Sequence, residues 1–259
     1  MNILDEILER KAQQVAELRR DPGESVLCER AASAAPARDL GAALRSGQRP
    51  RVIAEFKRAS PSRGAIRPDA DPAAIATAYE AAGASALSVL TDADFFGGSL
   101  ADLRAARAAC ALPVLRKDFT VDPIQVLEAR AAGADAVLLI VAALDDARLR
   151  DLLGAAADTG LAVLVEVHTR DELDRALALD AQILGINNRD LHTFQTDVSV
   201  TRTLAPHAAD RTVVSESGLD SASTLHALQV EGVDAFLIGE ALMREPDPGE
   251  ALAKLRGLG

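Results

Sequence analysis

The chain of 259 residues has few of the features that mark nucleic-acid-binding, secreted or membrane proteins. Aromatic residues make up only 3% of it and Trp is absent, so stacking surfaces for bases are not expected. A net charge of −11 argues against nucleic acid as a partner, because a phosphate backbone requires a basic surface. No apolar run reaches the roughly 18 residues that a membrane span needs. The acidic start, with Asp5, Glu6 and Glu9, is unlike a signal peptide. We therefore expect a cytoplasmic protein with neither a nucleic-acid nor a membrane partner.

Ligands for metals and signatures of cofactors are also scarce. The two cysteines, Cys28 and Cys110, have no metal-binding spacing and are expected to be isolated thiols. No two histidines stand at ligand spacing, and His168, which follows an apolar run, is expected to be a loop residue or an indirect neighbour of a site. No G-x-G-x-x-G sequence follows any apolar run. We therefore predict no metal and no cofactor.

Lysine is rare and its positions are informative. Of the 28 basic residues only four are lysines: Lys11, Lys57, Lys117 and Lys254. Lys57 and Lys117 each close an apolar run, whereas Lys11 and Lys254 lie in helical stretches and are expected to be exposed. Because Lys can give up its proton when desolvated and Arg cannot, Lys57 and Lys117 are candidates for chemistry.

From Arg51 onward one unit recurs: an apolar run rich in Val, Ile and Leu, a loop, and an amphipathic helix. The runs are 51–57, 84–91, 113–118, 136–141, 162–168, 183–188, 212–217 and 235–240. Continuous apolar strands that alternate with helices indicate parallel strands buried on both faces. Eight such units predict a (β/α)8 TIM barrel. The alternative, a doubly wound open sheet, lacks a glycine fingerprint and fits the strand count less well.

The residues before the first unit predict additional helices. Residues 2–20 carry a helical apolar stripe, and residues 25–46 are expected to form two more short helices around residues 34–36. We predict one domain over residues 1–259, in which residues 1–48 are an N-terminal helical extension packed on the barrel. Asp-Pro pairs at 71–72, 122–123 and 247–248 are typical of helix starts, and Thr169 to Glu172 predict a capping box.

Polar side chains stand at the ends of five of the eight runs. In a barrel of this kind the carboxyl ends of the strands carry the functional residues. The polar residues there are Glu55, Lys57, Lys117, Glu166, Asn187 with Arg189 close by, Glu216 and Ser217. Because each buried charge is costly unless it is paired, five strands ending this way indicate an acid–base site rather than packing. We expect Glu55 to pair with Lys57 or Lys117, and Glu166 with Lys117.

The last two runs end in small residues. Gly218 follows Ser217, and Gly239 precedes Glu240. In barrels this position often binds phosphate through backbone N–H groups, because glycine allows a close approach to the backbone.

Several motifs together resemble a known family. The stretches, in chain order, are IAEFKRASPSRG, VLRKDF, LVEVHT, GINNRDL, VSESGL and FLIGEALMR. They resemble the indole-3-glycerol-phosphate synthase family, and the resemblance extends over essentially the whole chain. It implies a cofactor-free carboxy-lyase of tryptophan biosynthesis. Such an enzyme converts 1-(2-carboxyphenylamino)-1-deoxyribulose 5-phosphate to indole-3-glycerol phosphate, CO2 and water.

The resemblance also implies roles for individual residues. Lys117 would be the general acid and Glu166 its acid/base partner, with Glu55 and Lys57 completing the network. Asn187 and Ser60 would position the substrate carboxylate and hydroxyls, and Glu216 and Ser217 the ribulosyl part. The predicted binding residues are completed by Arg189, by Phe96 and Phe119 as walls for the aromatic ring, and by the backbone of Gly218, Gly239 and Glu240 at the phosphate. Because a carboxylate beside a phosphate is unfavourable, only a backbone role is expected of Glu240. The loop 58–70 and the N-terminal helix are candidate covers of the site.

Other functions remain open at this point. One is another phosphate-binding barrel, either a sugar-phosphate isomerase or an aldolase with a Schiff-base lysine. A second is a non-catalytic ligand-binding or scaffold barrel. We expect the partner to be a phosphorylated small molecule and the chain to act as a monomer or a weak homodimer.

Overall fold

The computed structural model describes residues 3–190 and 193–257. Within them, eight parallel strands close into a barrel, each strand pairing with the next along the chain and the last with the first. The strands are β1 (Arg51–Phe56), β2 (Ala86–Leu90), β3 (Val114–Lys117), β4 (Ala136–Ile140), β5 (Ala162–Val167), β6 (Ile183–Asn187), β7 (Thr212–Glu216) and β8 (Ala235–Ile238). The predicted TIM barrel is confirmed, and the open sheet is excluded because β8 pairs with β1.

The helices alternate with the strands and form the outer layer. They are α1 (Ile3–Arg20), α2 (Glu24–Ser33), α3 (Leu40–Arg45), α4 (Pro72–Ala81), α5 (Ala93–Phe96), α6 (Leu100–Ala109), α7 (Pro123–Ala131), α8 (Asp146–Thr159), α9 (Arg170–Ala178), α10 (Ser199–Leu204), α11 (Ala222–Val230), α12 (Glu240–Met243) and α13 (Pro248–Leu255). Two 3-10 turns cover Val141–Ala143 and Ala205–Ala208. None of these helices is both long and apolar enough to cross a bilayer.

Two apolar layers hold the barrel together. One fills the interior of the barrel, where Ile53, Leu115 and Leu164 are completely buried. The other lies between the strands and the surrounding helices. Leu40 and Leu44 of α3 join the interior layer, so α3 closes the end of the barrel at which the strands begin. The opposite end, where the strands finish, is left for polar groups.

Strand register brings the polar strand ends to one rim. Leu90 pairs in register with Lys117, Glu166 with Gly185, and Asn187 with Glu216. Because parallel neighbours point the same way, the two residues of each pair lie side by side, and the polar ones lie near the carboxyl ends of their strands. Closure of the barrel therefore gathers side chains that lie far apart in sequence.

The predicted N-terminal helices are present, as α1, α2 and α3. Helix α2 packs against α7, and the Arg130 guanidinium of α7 donates to the carbonyl oxygens of Ala34 and Ala35 at 3.1 and 2.7 Å. Helix α1 lies at the end of the barrel opposite α3, where Ile3, Leu4 and Ile7 line the mouth. The extension thus reaches both ends of the barrel.

Local signals at the helix starts were mostly confirmed. Asp71, Asp122 and Asp247 each accept a hydrogen bond from the first turn of the helix that follows, and each precedes a proline. The predicted capping box at Thr169 is only half formed. The Thr169 hydroxyl accepts from the Glu172 N–H, but the Glu172 carboxylate accepts from the N–H of His168 instead. Glu172 takes this position because it also contacts the His168 ring.

A short hairpin in the loop after β1 was not predicted. Ala59–Ser60 pairs antiparallel with Gly64–Ala65. Each strand has only two residues, too few for an alternating pattern to appear in the sequence. The tip, residues 61–64, is exposed, whereas Ser60 is buried toward the barrel mouth although its loop reads as wholly polar.

Candidate active site

Lys117 lies at the centre of the buried polar cluster at the mouth. Its Nζ is 3.1 Å from Glu166 Oε2 and 3.6 Å from Glu216 Oε2. Both carboxylates are about 2% exposed or less, since they project from β5 and β7 into the barrel. One ammonium therefore sits between two acids in a site with little water.

A second pair lies across the mouth at the end of β1, where Glu55 belongs to the strand and Lys57 follows it. Lys57 Nζ is 2.9 Å from Glu55 Oε1, as the shared face of residues i and i+2 predicts. The other Glu55 oxygen is 3.4 Å from the Ser88 hydroxyl of β2. Both of the expected pairings, Glu55 with Lys57 and Glu166 with Lys117, are present.

Two glycines leave the space that the acids occupy. A Cβ added to Gly185 would collide with the Glu216 carboxylate, and one added to Gly239 would collide with that of Glu55. A glycine inside a strand is typical of a close approach by another group. Gly185 was missed in the sequence, although its position in the middle of an apolar strand gave that signal.

The environment pushes the pKa values of these groups apart. Burial opposes the charge of Lys117, but Glu166, Glu216 and Glu55 outweigh it and raise its pKa. Burial disfavours ionised Glu166, but Lys117 and His168 overcome this and lower its pKa. Burial and the nearby charge of Glu166 raise the pKa of Glu216 to about 8. The cluster thus contains an ammonium, a carboxylate and a carboxylic acid together near neutral pH.

His168 and Asn187 hold Glu166 from its other side. His168 Nε2 is 3.4 Å from Glu166 Oε1, and Asn187 Nδ2 donates to the same oxygen at 3.1 Å. Burial would lower the pKa of His168, but hydrogen bonds to Glu166 and Glu172 raise it to about 10. The Asn187 amide oxygen accepts from the Arg189 N–H at 3.0 Å, which fixes the amide orientation. His168 thus contacts a buried acid of the mouth directly.

The cluster forms the floor of a cavity with an apolar side. The cavity holds about 930 Å³ including its mouth. Ile3, Leu4 and Ile7 of α1 cover it, and the rings of Phe96 and Phe119 lie 6.4 Å apart on its wall. Phe194 also lines it, a residue that sequence reasoning missed because it follows no strand end. This side suits a flat apolar group.

A second cavity of about 870 Å³ adjoins the first and is more polar. The two share Glu55, Lys57, Arg189, Ser217 and Leu237. Gly218 and Gly239 line the polar cavity, together with Arg63, Arg189, Glu240 and Arg244. Ser217 and Gly218 both have positive φ, which turns the chain sharply after β7. Positive side chains beside glycine backbone suit an anion.

Lys11 is the clearest correction to the sequence analysis. It was expected to be exposed, but it is only 2% exposed and its Nζ lies 2.6 Å from both Asp92 and Asp118. Asp118 also accepts from the Arg116 guanidinium at 3.2 Å and from the Thr91 hydroxyl at 2.6 Å. Lys11 therefore ties α1 to the residue that follows Lys117. The other expected surface lysine, Lys254, is exposed.

All fourteen predicted site residues line one of the two cavities. The first is lined by Glu55, Lys57, Ser60, Phe96, Lys117, Phe119, Glu166, Asn187, Arg189, Glu216 and Ser217. The second adds Gly218, Gly239 and Glu240. Their roles stay predictions. Leu191, the last residue of the GINNRDL motif, lies outside the described residues. Within residues 3–190 and 193–257 no group of three or more His, Cys, Asp or Glu side chains has the geometry of a metal site.

Comparison with solved structures shows the fold. A 3-hexulose-6-phosphate synthase superposes with a TM-score of 0.60 and 18% identity, over 80% of this chain and 99% of that one. A thiamine phosphate pyrophosphorylase from Pyrococcus furiosus gives a TM-score of 0.62 and 18% identity, over 85% and 97%. At this identity the likeness extends to the barrel alone.

Comparison with protein families is more specific. The family model described as indole-3-glycerol phosphate synthase matches residues 4–255, which covers both the N-terminal extension and all eight strands. The predicted resemblance is therefore confirmed, and the chain belongs to the indole-3-glycerol phosphate synthase family, whose members are carboxy-lyases of tryptophan biosynthesis.

Proposed function

We propose that the protein closes the indole ring of 1-(2-carboxyphenylamino)-1-deoxyribulose 5-phosphate, releasing CO2 and water to give indole-3-glycerol phosphate. The observation that carries the proposal is the pair of adjoining cavities. One has apolar and aromatic walls, the other has arginines and glycine backbone, and Lys117 with its two acids lies on the floor of the first. A substrate with an aromatic ring at one end and a phosphate at the other matches this division.

Lys117 is the proposed general acid of ring closure. As the aromatic carbon that bears the carboxylate attacks the ketone carbon, negative charge develops on the ketone oxygen. An ammonium in a water-poor site stabilises that charge and then donates its proton. The raised pKa of Lys117 keeps it protonated until the oxygen becomes basic enough to accept. Loss of CO2 then restores the aromatic ring.

The two acids beside Lys117 are suited to different steps. Glu166, whose pKa is lowered, is the base that removes a proton as water leaves. Glu216, with a pKa of about 8 and Oε2 at 3.6 Å from Lys117 Nζ, can return a proton to the lysine. Asn187 and His168 keep Glu166 oriented through its other oxygen.

The remaining predicted residues bind the two ends of the substrate in this proposal. Phe96 and Phe119 flank the aromatic ring. Ser60, Arg189 and Ser217 reach the carboxylate and hydroxyls. The phosphate lies at the backbone of Gly218, Gly239 and Glu240, with Lys57 close by. The single-domain organisation over residues 1–259, the monomer or weak homodimer and the cytoplasmic location all stay predictions.

A Schiff-base aldolase would use the same lysines in another way. It requires a neutral amine that attacks a carbonyl. The ion pair of Lys117 with Glu166 favours the protonated form of this lysine, so the geometry supports an acid rather than a nucleophile at Lys117. Borohydride trapping distinguishes the two. Reduction in the presence of substrate should leave Lys57 and Lys117 unmodified, and a covalent adduct on either would support the aldolase.

The direct test is to supply the carboxyphenylamino-ribulose phosphate and follow indole fluorescence together with CO2 release. We expect both products in equal amounts. Turnover by wild-type protein without indole formation would reject the proposal. A scaffold or binding protein would show no turnover at all.

A further inference from the structure

Glu240 stands out in the polar cavity because three arginines surround its carboxylate. Oε1 is 3.0 Å from Arg63 Nε and 3.3 Å from Arg244 Nη1, and Oε2 is 3.4 Å from Arg189 Nη2. The arginines come from the hairpin after β1, from the loop after β6 and from the end of α12. One carboxylate thus connects three separate elements around the place where Gly218 and Gly239 present their backbone.

Each cation of the polar cavity already has a carboxylate partner. Lys57 pairs with Glu55 at 2.9 Å, and the three arginines pair with Glu240. Four cations line the cavity against three carboxylates, those of Glu55, Asp220 and Glu240. A chain with a net charge of −11 offers little general attraction for an anion, so the state of these few cations decides how well one binds.

The arginines that pair with Glu240 can exchange its carboxylate for another anion readily. Arg63 and Arg244 are 58% and 61% exposed, and exposed ion pairs contribute little stability. A phosphate monoester carries about −1.5 to −2 charges and three acceptor oxygens, so it binds a guanidinium more strongly than a single carboxylate does. Arg189 also donates to Ser62 Oγ at 3.3 Å, so it can shift between partners without leaving the mouth.

We propose that the Glu240 side chain sets the affinity of this site for phosphate. Its carboxylate competes with the phosphate for the guanidiniums of Arg63 and Arg189, and a bound phosphate takes both while Glu240 keeps Arg244. The inference rests on the proposed function, in which the phosphate end of the substrate lies at Gly218 and Gly239. In this proposal the Glu240 side chain opposes phosphate binding, whereas the backbone of the same residue contributes to it.

Titration with inorganic phosphate tests the inference without any turnover. Glu240→Gln removes the charge but keeps the shape, so we expect phosphate to bind about 3- to 30-fold more tightly than to wild type at low ionic strength, with the gain shrinking as salt is added. Glu240→Ser should change affinity in the same direction. Unchanged or weaker binding in both variants would overturn the inference, because it would mean that the carboxylate holds the arginines in place for the phosphate.

Glu245→Gln is the matched control. It removes the same unit of charge just beyond α12, at an exposed residue that does not line the polar cavity. We expect phosphate affinity within about twofold of wild type for this variant, because the Glu245 carboxylate is exposed to high-dielectric solvent and lies outside the site, so its field at the phosphate is weak. An equal gain in phosphate affinity for Glu245→Gln would show that the effect comes from net charge alone, and would overturn the role of Glu240.

A double variant examines the competition itself. In an Arg63→Ala background, Glu240→Gln should give a smaller gain in phosphate affinity than in wild type, since one of the contested guanidiniums is gone. An undiminished gain would contradict the part assigned to Arg63. If the indole assay shows no turnover but Glu240→Gln still binds phosphate more tightly, the proposed reaction fails and this inference stands. Turnover without any gain overturns this inference alone.

Discussion

Replacing Lys11 by Met removes the ammonium that ties the N-terminal helix to the barrel mouth. In the wild type, Nζ lies 2.6 Å from Asp92 Oδ2 and 2.6 Å from Asp118 Oδ1, and all three side chains are almost completely buried. Met fills a similar volume but leaves the two acids without this cation. Breaking a buried pair in this way typically costs about 3–5 kcal/mol of unfolding free energy.

The contacts that remain place the expected loss at the lower end of that range. Asp118 keeps Arg116 at 3.2 Å and the Thr91 hydroxyl at 2.6 Å, so it is still compensated. Asp92 keeps the Phe95 N–H at 2.7 Å but loses its cation. We therefore expect Lys11→Met to lower the unfolding free energy by about 3 kcal/mol. Urea denaturation at neutral pH measures this directly.

The same substitution should weaken substrate binding. Helix α1 places Ile3, Leu4 and Ile7 over the apolar cavity, and Lys11 connects it to the rim. A loosened cover raises KM, with a smaller fall in kcat, because the acid–base groups themselves are unchanged. Lys254→Met is the matched control, since Lys254 is exposed and its replacement should alter stability by no more than about 0.5 kcal/mol.

Lys11→Met protein that unfolds within about 1 kcal/mol of wild type and keeps its KM would show that the buried triad neither stabilises the chain nor positions α1. Adding Asp92→Asn to Lys11→Met removes one orphaned charge, and we expect it to restore part of the lost stability. Failure of that rescue would assign the loss to packing rather than to charge.

Three further predictions concern the acids of the cavity floor. Gly185→Ala places a methyl group against the Glu216 carboxylate. We expect it to lower the unfolding free energy in urea by about 1–3 kcal/mol and to lower turnover. Wild-type stability and turnover would show that the strand can shift to make room for the methyl group. Folding raises the pKa of Glu216 from 4.5 to about 8, so between these pH values the folded state binds a proton at Glu216 that the unfolded state has lost. The free energy of unfolding of wild type therefore falls as pH rises from about 4.5 to about 8. The stability of Glu216→Gln relative to wild type should therefore grow between about pH 5 and pH 8, and a constant difference would contradict the raised pKa. Glu166→Gln should lower kcat by at least about 10²-fold without changing the far-ultraviolet circular dichroism, and undiminished turnover would remove Glu166 from the mechanism.

The barrel was predictable because its signals are local and repeated. Each strand is an apolar run bounded by a turn, and the eight predicted runs differ from the observed strands by no more than two residues at either end. The gathering of Glu55, Lys117, Glu166 and Glu216 at one mouth followed from closure alone, since parallel strands all end on one side.

The features that were missed depend on contacts between distant parts of the chain. Lys11 lies four residues after Ile7 and seven after Leu4, on the same face of α1, so its burial could have been read from the apolar stripe. Its partners Asp92 and Asp118 could not, because they are more than 80 residues away in sequence. Arg189 was predicted to bind substrate, but its pairing and that of Arg63 with Glu240 were missed for the same reason. The pairing of Arg244 with Glu240 was also missed, although its i+4 spacing could have indicated it.

In the proposed reaction Lys117, held as a cation between Glu166 and Glu216, drives ring closure. The most direct test of this role is the single-turnover rate of indole formation from the carboxyphenylamino-ribulose phosphate by Lys117→Met, with Lys254→Met as control. We predict a fall of at least about 10²-fold for Lys117→Met with little change in substrate affinity, and a wild-type rate for the control. A Lys117→Met rate within about tenfold of wild type would contradict this role.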